Sequence, residues 1–215
     1  MNITAVSPAQ DFGEAVAEDA EALAALHDRE LTAGLLTALR ETAFPHGLGL
    51  LPATPAAADA WRAMADGLAV LPPVPDADTL DRLAADYAAI YLTGAYGASP
   101  CESVWTDDDH LACQDAMFAW RDLHAAAGLA TPHWRQRPDD HLVLQLLHIA
   151  HAARQARSAT DWQRLGQLLD EHPLRWIRDF ACRVAARSAS PFYAGLAVLT
   201  AEWLTTLRAT IDRLR

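Results

Sequence analysis

A chain of 215 residues, 52% of them hydrophobic, is long enough to bury a core without help from metals or disulfides. Its formal charge is -11, and with no lysine in the sequence every formal positive charge is an arginine; such a field argues against a phosphate-backbone partner and would attract a basic peptide. The 3 cysteines, Cys101, Cys113 and Cys182, form no C-x-x-C pair, which argues against a disulfide framework or zinc knuckle and fits a reducing cytoplasm.

The start, Met1 to Pro8, lacks a basic segment followed by an apolar run, so it does not read as a secretory leader. No later run is long and apolar enough to suggest a membrane span. Alanine and leucine outweigh valine and isoleucine, the balance expected of helices.

Ser7-Pro8-Ala9-Gln10 reads as a capped helix start, followed by Phe12, Val16, Leu23 and Leu26 at helical spacing. A second helix carries Leu31, Leu35, Leu36 and Leu39 and is broken between Pro45 and Pro52. Thr54-Pro55 opens a third, with Trp61, Met64 and Leu68 on one face. Pro72, Pro73 and Pro75 close it, and Asp76 or Asp78 caps a fourth, striped by Leu80, Leu83, Tyr87 and Ile90. A loop from Thr93 to Thr106 leads to Thr106-Asp107-Asp108-Asp109, which the spacing predicts to cap a helix burying Cys113, Met117, Trp120 and Leu123 up to Gly128. The polar stretch Thr131 to Arg137 is the candidate hinge.

Pro138-Asp139-Asp140 is predicted to start the next helix, with Leu142, Leu146, Ile149 and Ala153 as its core face. Further helices follow from Trp162, Leu165 and Leu169, from Leu174, Ile177, Phe180 and Val184, and from a run opened by Ser190-Pro191 that carries Phe192, Leu196, Leu199, Trp203, Leu207 and Ile211. The fold class is therefore all-α, a single helical-bundle domain over 1–215 of about nine or ten helices. A division into lobes 1–130 and 138–215 at the 131–137 hinge is its variant.

Few residues suggest chemistry. Pro138-Asp139-Asp140-His141 combines carboxylates with a histidine at a helix start, an arrangement that capping alone accounts for. His141, Gln145 and His148 repeat on the face opposite the leucines, where they either line a groove or meet water, the latter being the simpler reading. His141 and His148 stand about 10 Å apart along a helix, too far for one ion, and the His148/His151 pair lacks a specified third ligand. No G-x-S-x-G elbow or glycine-rich phosphate loop occurs, so neither an enzyme nor a cofactor is indicated. Most tryptophans fall on core stripes, while Trp105 and Trp134 fall in predicted loops and are candidates for an exposed recognition surface.

Three separated segments resemble the TorD/DmsD/NarJ family of redox-enzyme maturation chaperones. They are Asp86 to Leu92 followed by Ser99-Pro100-Cys101-Glu102-Ser103-Val104-Trp105; Pro138-Asp139-Asp140-His141-Leu142; and His172 to Ile177 with Phe180 and Ser190 to Ala197. Arg137 stands where that family usually has an acidic residue and Cys101 where it often has an aromatic.

The resemblance implies a TorD-like helical fold without a catalytic centre. It implies a cytoplasmic chaperone that binds the twin-arginine leader, the apo form, or both, of a molybdopterin-containing oxidoreductase subunit, and that assists cofactor insertion and assembly before export. On it, Glu102, Ser103, Asp140 and His141 match the positions tied to leader binding, with Tyr91, Trp105 and Pro138 shaping an apolar groove. A leader with paired arginines beside an apolar run needs carboxylates beside a hydrophobic surface. The chain is expected as a monomer or a homodimer that swaps lobes across the hinge. Two readings from other classes stand beside this one: a small metal-dependent hydrolase using the Asp107–His110 and Asp139–His141 clusters, and a structural helical adaptor.

Overall fold

The computed structural model describes residues 8–130 and 137–214, and in it the apolar stripes become helices. In chain order they are α1 (Pro8–Asp28), α2 (Ala33–Glu41), α3 (Pro55–Ala69), α4 (Ala77–Tyr87), α5 (Ser103–Thr106), α6 (Asp115–Ala126), α7 (Leu142–Gln155), α8 (Ala159–Glu171), α9 (Ile177–Arg187) and α10 (Pro191–Arg213). A π-helical turn, Ala88–Leu92, prolongs α4, and a 3-10 turn, Pro173–Arg175, joins α8 to α9. The fold is all-α: among the described residues there is no strand, only an isolated bridge between Cys101 and His141. No helix among them is long and apolar enough to cross a membrane.

The cap signals work as their chemistry requires. Thr54, Asp76, Ser158 and Ser190 each accept a backbone N–H of the helix they precede. The Ser7 cap and Trp134 lie outside the described residues, as does the hinge apart from Arg137.

Helix α10 is the axis of the bundle and packs against α3, α8 and α9, while α1 lies along α7. Phe192, Tyr193, Leu196, Leu199, Trp203 and Leu207 of α10 are fully buried. Two glycines let backbones meet: a Cβ at Gly195 would sit 2.9 Å from Met64 Cα of α3, and one at Gly13 would sit 2.6 Å from the Ala153 carbonyl oxygen of α7.

Buried polar groups then fix which helix meets which. The Asp19 carboxylate in α1 accepts the amides of Gly49 and Leu50 at 2.7 and 2.9 Å and the Trp203 indole of α10 at 3.0 Å. Burial nonetheless raises its pKa above the usual carboxylate value, because loss of water outweighs those donors. Asp86, at the end of α4, accepts the Tyr96 hydroxyl at 2.5 Å, the Ser188 hydroxyl at 2.8 Å and the Ser190 amide at 2.5 Å, tying α4 to the α9–α10 connection.

His27 of α1 lies between Tyr91 Oη at 2.6 Å and Thr200 Oγ1 at 2.8 Å. The Thr200 hydroxyl donates to Leu196 O, so His27 Nε2 must donate to Thr200. Burial lowers the pKa of the ring to about 3, which keeps it neutral and leaves Nδ1 to accept from Tyr91.

Two expectations are corrected. Asp107–Asp109 do not open a helix: Asp107 Oδ2 instead accepts the amides of Asp109 and Leu111 in a turn, and α6 begins only at Asp115. Cys113 is accordingly exposed rather than buried, at φ 63°, and Leu123 is half-buried. Trp105 lies on α5 rather than in a loop.

Replacing Asp19 with alanine strands two buried donors, the Leu50 amide and the Trp203 indole, and frees the Gly49 amide, so we expect a loss of about 3–5 kcal/mol in chemical denaturation. Asp19→Asn, which keeps one acceptor oxygen, should lose less. Equal stability of Asp19→Ala and the native chain would contradict this role.

Candidate functional site

The segment from Ser99 to Ser103 runs beside the start of α7. Pro100 O accepts the Leu142 amide at 2.8 Å, and Asp140 O accepts the Glu102 amide at 3.3 Å. Asp140 then caps α5 from outside its own helix, its Oδ2 accepting the Ser103 amide at 2.7 Å and the Ser103 hydroxyl at 2.5 Å. His141 is the N-cap of α7, its Nδ1 accepting the Val143 amide at 3.2 Å.

Behind this pairing, Glu102 gathers three elements. Its carboxylate, 1% exposed, accepts the Trp120 indole of α6 at 2.8 Å, the Gln145 amide of α7 at 3.0 Å and His172 Nδ1, after α8, at 3.0 Å. Gln145 also donates to Asp140 O at 2.9 Å, which fixes its amide orientation.

A histidine pair completes the interior. His124 Nε2 donates to Asp139 O at 3.2 Å, leaving His124 Nδ1 to accept from His148 Nδ1 at 3.2 Å. That bond requires the accepting ring, His124, to be neutral, and burial lowers the pKa of both rings and so favours the neutral form of each. Asp139 pairs with Arg121 at 3.0 Å.

The three separated motifs thus converge, with Glu102, Asp140 and His172 in one connected network. Convergence does not place them on the surface. Glu102, Ser103, Asp140 and His141 are all interior, at 1%, 0%, 0% and 7% exposure. Tyr91 directs its hydroxyl to His27 and packs its ring 4.8 Å from that of Tyr87. Trp105 and Pro138 are half-buried, and the Trp105 indole donates to Ser99 O at 2.8 Å.

The solvated reading of the His141–Gln145–His148 face is corrected: all three are buried, His148 against Trp120 and His124 of α6, Gln145 against Glu102, and His141 beside Cys101 of the segment before α5. Trp120 and His124, which the sequence did not single out for this role, are what covers His148. The signal was present as Met117, Trp120 and His124 at i, i+3 and i+7, an apolar-aromatic stripe facing the polar one. His148 engages His124, and among the described residues no three His, Cys, Asp or Glu side chains cluster as a metal site.

The acidic and apolar groups that do reach solvent lie just beyond the network. Leu111 is 54% exposed in the turn that carries Asp108 and Asp109. Phe118, 53% exposed, stands between the exposed Asp115 and Asp122 on one face of α6. This loop is anchored from within, because the Gln114 amide donates to Ser103 Oγ at 3.3 Å and His110 Nδ1 lies 3.0 Å from Val104 O.

Fold and site together define an all-helical scaffold whose motif residues are interior connectors holding an acidic, partly apolar surface. Residues 52–182, more than half of the 215, match the family described as nitrate reductase delta subunit, and the chain belongs to that family. It is similar to the chaperone protein TorD of Shewanella piezotolerans, 28% identical over 132 residues that cover 58% of this chain and 60% of that one. Its likeness to the protein of the same name in Shewanella oneidensis is 29% over 134 residues and 59% of each chain. For that of Vibrio cholerae O395 it is 29% over 140 residues, 61% of this chain and 63% of the other. The match therefore spans about 60% of the length of these curated relatives.

Asp140→Ala removes the cap of α5, the oxygen that accepts both the amide and the hydroxyl of Ser103, and should cost about 2–4 kcal/mol, or roughly 5–15 °C in Tm. An unshifted melting curve would mean that the network is not structural.

Acid should weaken the fold before it protonates the surface carboxylates. His27 and His141 are lowered to about 3 and His148 to about 4 by burial, and His124 is lowered too, all from 6.5. Below pH 6.5 the unfolded chain binds more protons than the folded one, so stability is complete above that pH and falls as pH drops towards the folded values. Each ring contributes up to ~1.4 kcal/mol per pH unit in that window. Asp19 and Asp140, raised by burial, act oppositely, but only as pH falls through their own folded values. Tm should drop between pH 7 and pH 5, and a Tm that is flat or rising over that range would refute the assignment of neutral interior rings.

Proposed function

We propose that this chain is a maturation chaperone that binds the twin-arginine leader of a molybdopterin-containing oxidoreductase subunit, and its apo form, and assists cofactor insertion and assembly before export from the cytoplasm. One observation carries the reading: exposed Leu111 and Phe118 lie among Asp108, Asp109, Asp115 and Asp122. A segment presenting arginines beside an apolar run needs that combination, since carboxylates orient guanidinium groups through charge-assisted bonds and the apolar side chains lose water on contact. The relatives' name, chaperone, supports the same reading.

On this proposal the residues tied to leader binding divide by burial. Glu102, Ser103, Asp140 and His141 act as positioning residues, holding α5, α7 and the loop between Asp107 and Gln114 in register. Tyr91 positions the end of α4 through His27. Trp105 and Pro138, with surface to offer, border the client. A homodimer that exchanged the chain after the 131–137 segment would re-form the α1–α7 and α3–α10 packing between two copies.

Calorimetry with a leader-type peptide containing paired arginines followed by leucines, at low salt, tests the proposal. Binding should weaken as salt rises. It should fall about tenfold or more in the variant carrying Asp108→Asn, Asp109→Asn, Asp115→Asn and Asp122→Asn, whose exposed side chains leave the melting curve nearly unmoved. Equal binding by that variant, or no binding by the native chain, would count against the reading.

A further inference from the structure

On the other side of α5 from the buried network, a cleft of about 770 Å³ opens towards α9, with Gly97, Val104 and Trp105 on one wall and Asp179, Arg183 and Arg187 on the other. Its charge is opposite to that of the acidic loop. Arg183 and Arg187 stand one helical turn apart on the exposed face of α9. Like charges at that spacing repel.

The chain has 28 acidic residues against 17 arginines, yet among the described residues neither of these two guanidinium groups is paired with a carboxylate. Arg183 instead lies over the Trp105 ring, 5.6 Å from its centroid, and donates to Gly97 O at 3.2 Å. The remaining edge of that guanidinium, and the whole of Arg187, are left to an anion from outside. Val104 and Trp105 supply an apolar wall of the same cleft.

We propose that this cleft docks a short acidic segment of a partner polypeptide. Its carboxylates would engage Arg183 and Arg187, with an apolar side chain against Trp105 and Val104. Guanidinium forks match carboxylates in geometry, and the cleft volume falls within the range of small-ligand sites. A peptide fits better than a polyphosphate. Asp179 on the same wall and the net charge of -11 limit how much anionic charge the cleft tolerates, while Asp179 can accept a backbone N–H that a phosphate does not offer. The site is opposite in sign to the surface proposed for the arginine-bearing leader and meets it only at the border that Trp105 forms, and its arginines belong to α9 alone, so it stands or falls without it.

The probe is the end-blocked peptide Glu-Leu-Glu-Leu-Glu, titrated by calorimetry into the full chain at low salt, with Gln-Leu-Gln-Leu-Gln as its uncharged counterpart. The acidic peptide should bind and the glutamine peptide should bind at least tenfold more weakly. Arg183→Gln with Arg187→Gln, two exposed changes, should weaken the acidic peptide at least tenfold while the melting curve stays in place. The peptide should also slow alkylation of exposed Cys182, which lies in the cleft, and leave that of exposed Cys113 unchanged. No binding of the acidic peptide, equal binding of the two peptides, or undiminished binding by the double variant overturns the proposal. Tighter binding of pyrophosphate than of the peptide at equal ionic strength overturns it as well, in favour of a phosphate site. The double variant keeps the acidic loop and should bind the leader-type peptide as the native chain does. A native chain that fails to bind the leader-type peptide speaks against the chaperone reading alone.

Discussion

The Glu102 carboxylate is the point on which the arrangement of α5, α6 and α7 depends. It is almost wholly removed from water, and its acceptor capacity is met by Trp120, Gln145 and His172. A buried carboxylate is tolerable only when its oxygens are bonded, and an unmet one costs several kcal/mol. That cost makes the geometry selective. Any slide of α6 along α7 large enough to part Trp120 from Glu102 leaves a buried charge, an indole N–H and the histidine pair unsatisfied together.

The rest of the bundle uses the same device at intervals. Leucine and alanine dominate the helix faces, and such side chains pack in more than one register at similar energy. Asp19, Asp86 and His27 remove that freedom. Each receives or shares bonds from elements far apart in the chain: Asp19 from the loop before α3 and from α10, Asp86 from the α9–α10 connection, His27 from the end of α4 and from α10. The apolar core supplies most of the driving force and the buried polar bonds select one packing of it. The glycines at α1–α7 and α3–α10 serve the same end by letting the backbones come close at one place.

Much of this was legible because helical periodicity and cap chemistry are local. Thr54-Pro55, Asp76 and Ser190-Pro191 mark helix starts where their side chains accept the orphan amides, and the stripes of α3 and α10 name their core residues correctly. The site was half legible. The ordered motifs pointed to Glu102, Asp140 and His172, and these do meet. Which way they face was not readable, because a polar stripe on one helix looks the same whether water or another helix covers it. His141, Gln145 and His148 read as solvated until Cys101, Glu102 and the α6 pair Trp120 and His124 are seen against them. The triple aspartate misled for a related reason: Asp107 finds its amide partners in Asp109 and Leu111, so the capping chemistry is spent on a turn rather than a helix.

The short helix α5 gives the buried network its link to the surface. Its first residue, Ser103, is gripped by Asp140; Val104 and Trp105 face the basic cleft; and the acidic loop starts at its C-terminal end and returns to it through His110. Four residues are too few to hold a helix by themselves, since nucleation is unfavourable and α5 has barely one turn of bonds. Its position is therefore set by Asp140 and Glu102. The two surfaces of opposite charge on either side of α5 keep their spacing only while those interior bonds persist. On the proposed reading the motif residues govern recognition from a distance without touching what is recognised, because a shift of α5 would move the acidic loop and the wall of the cleft together.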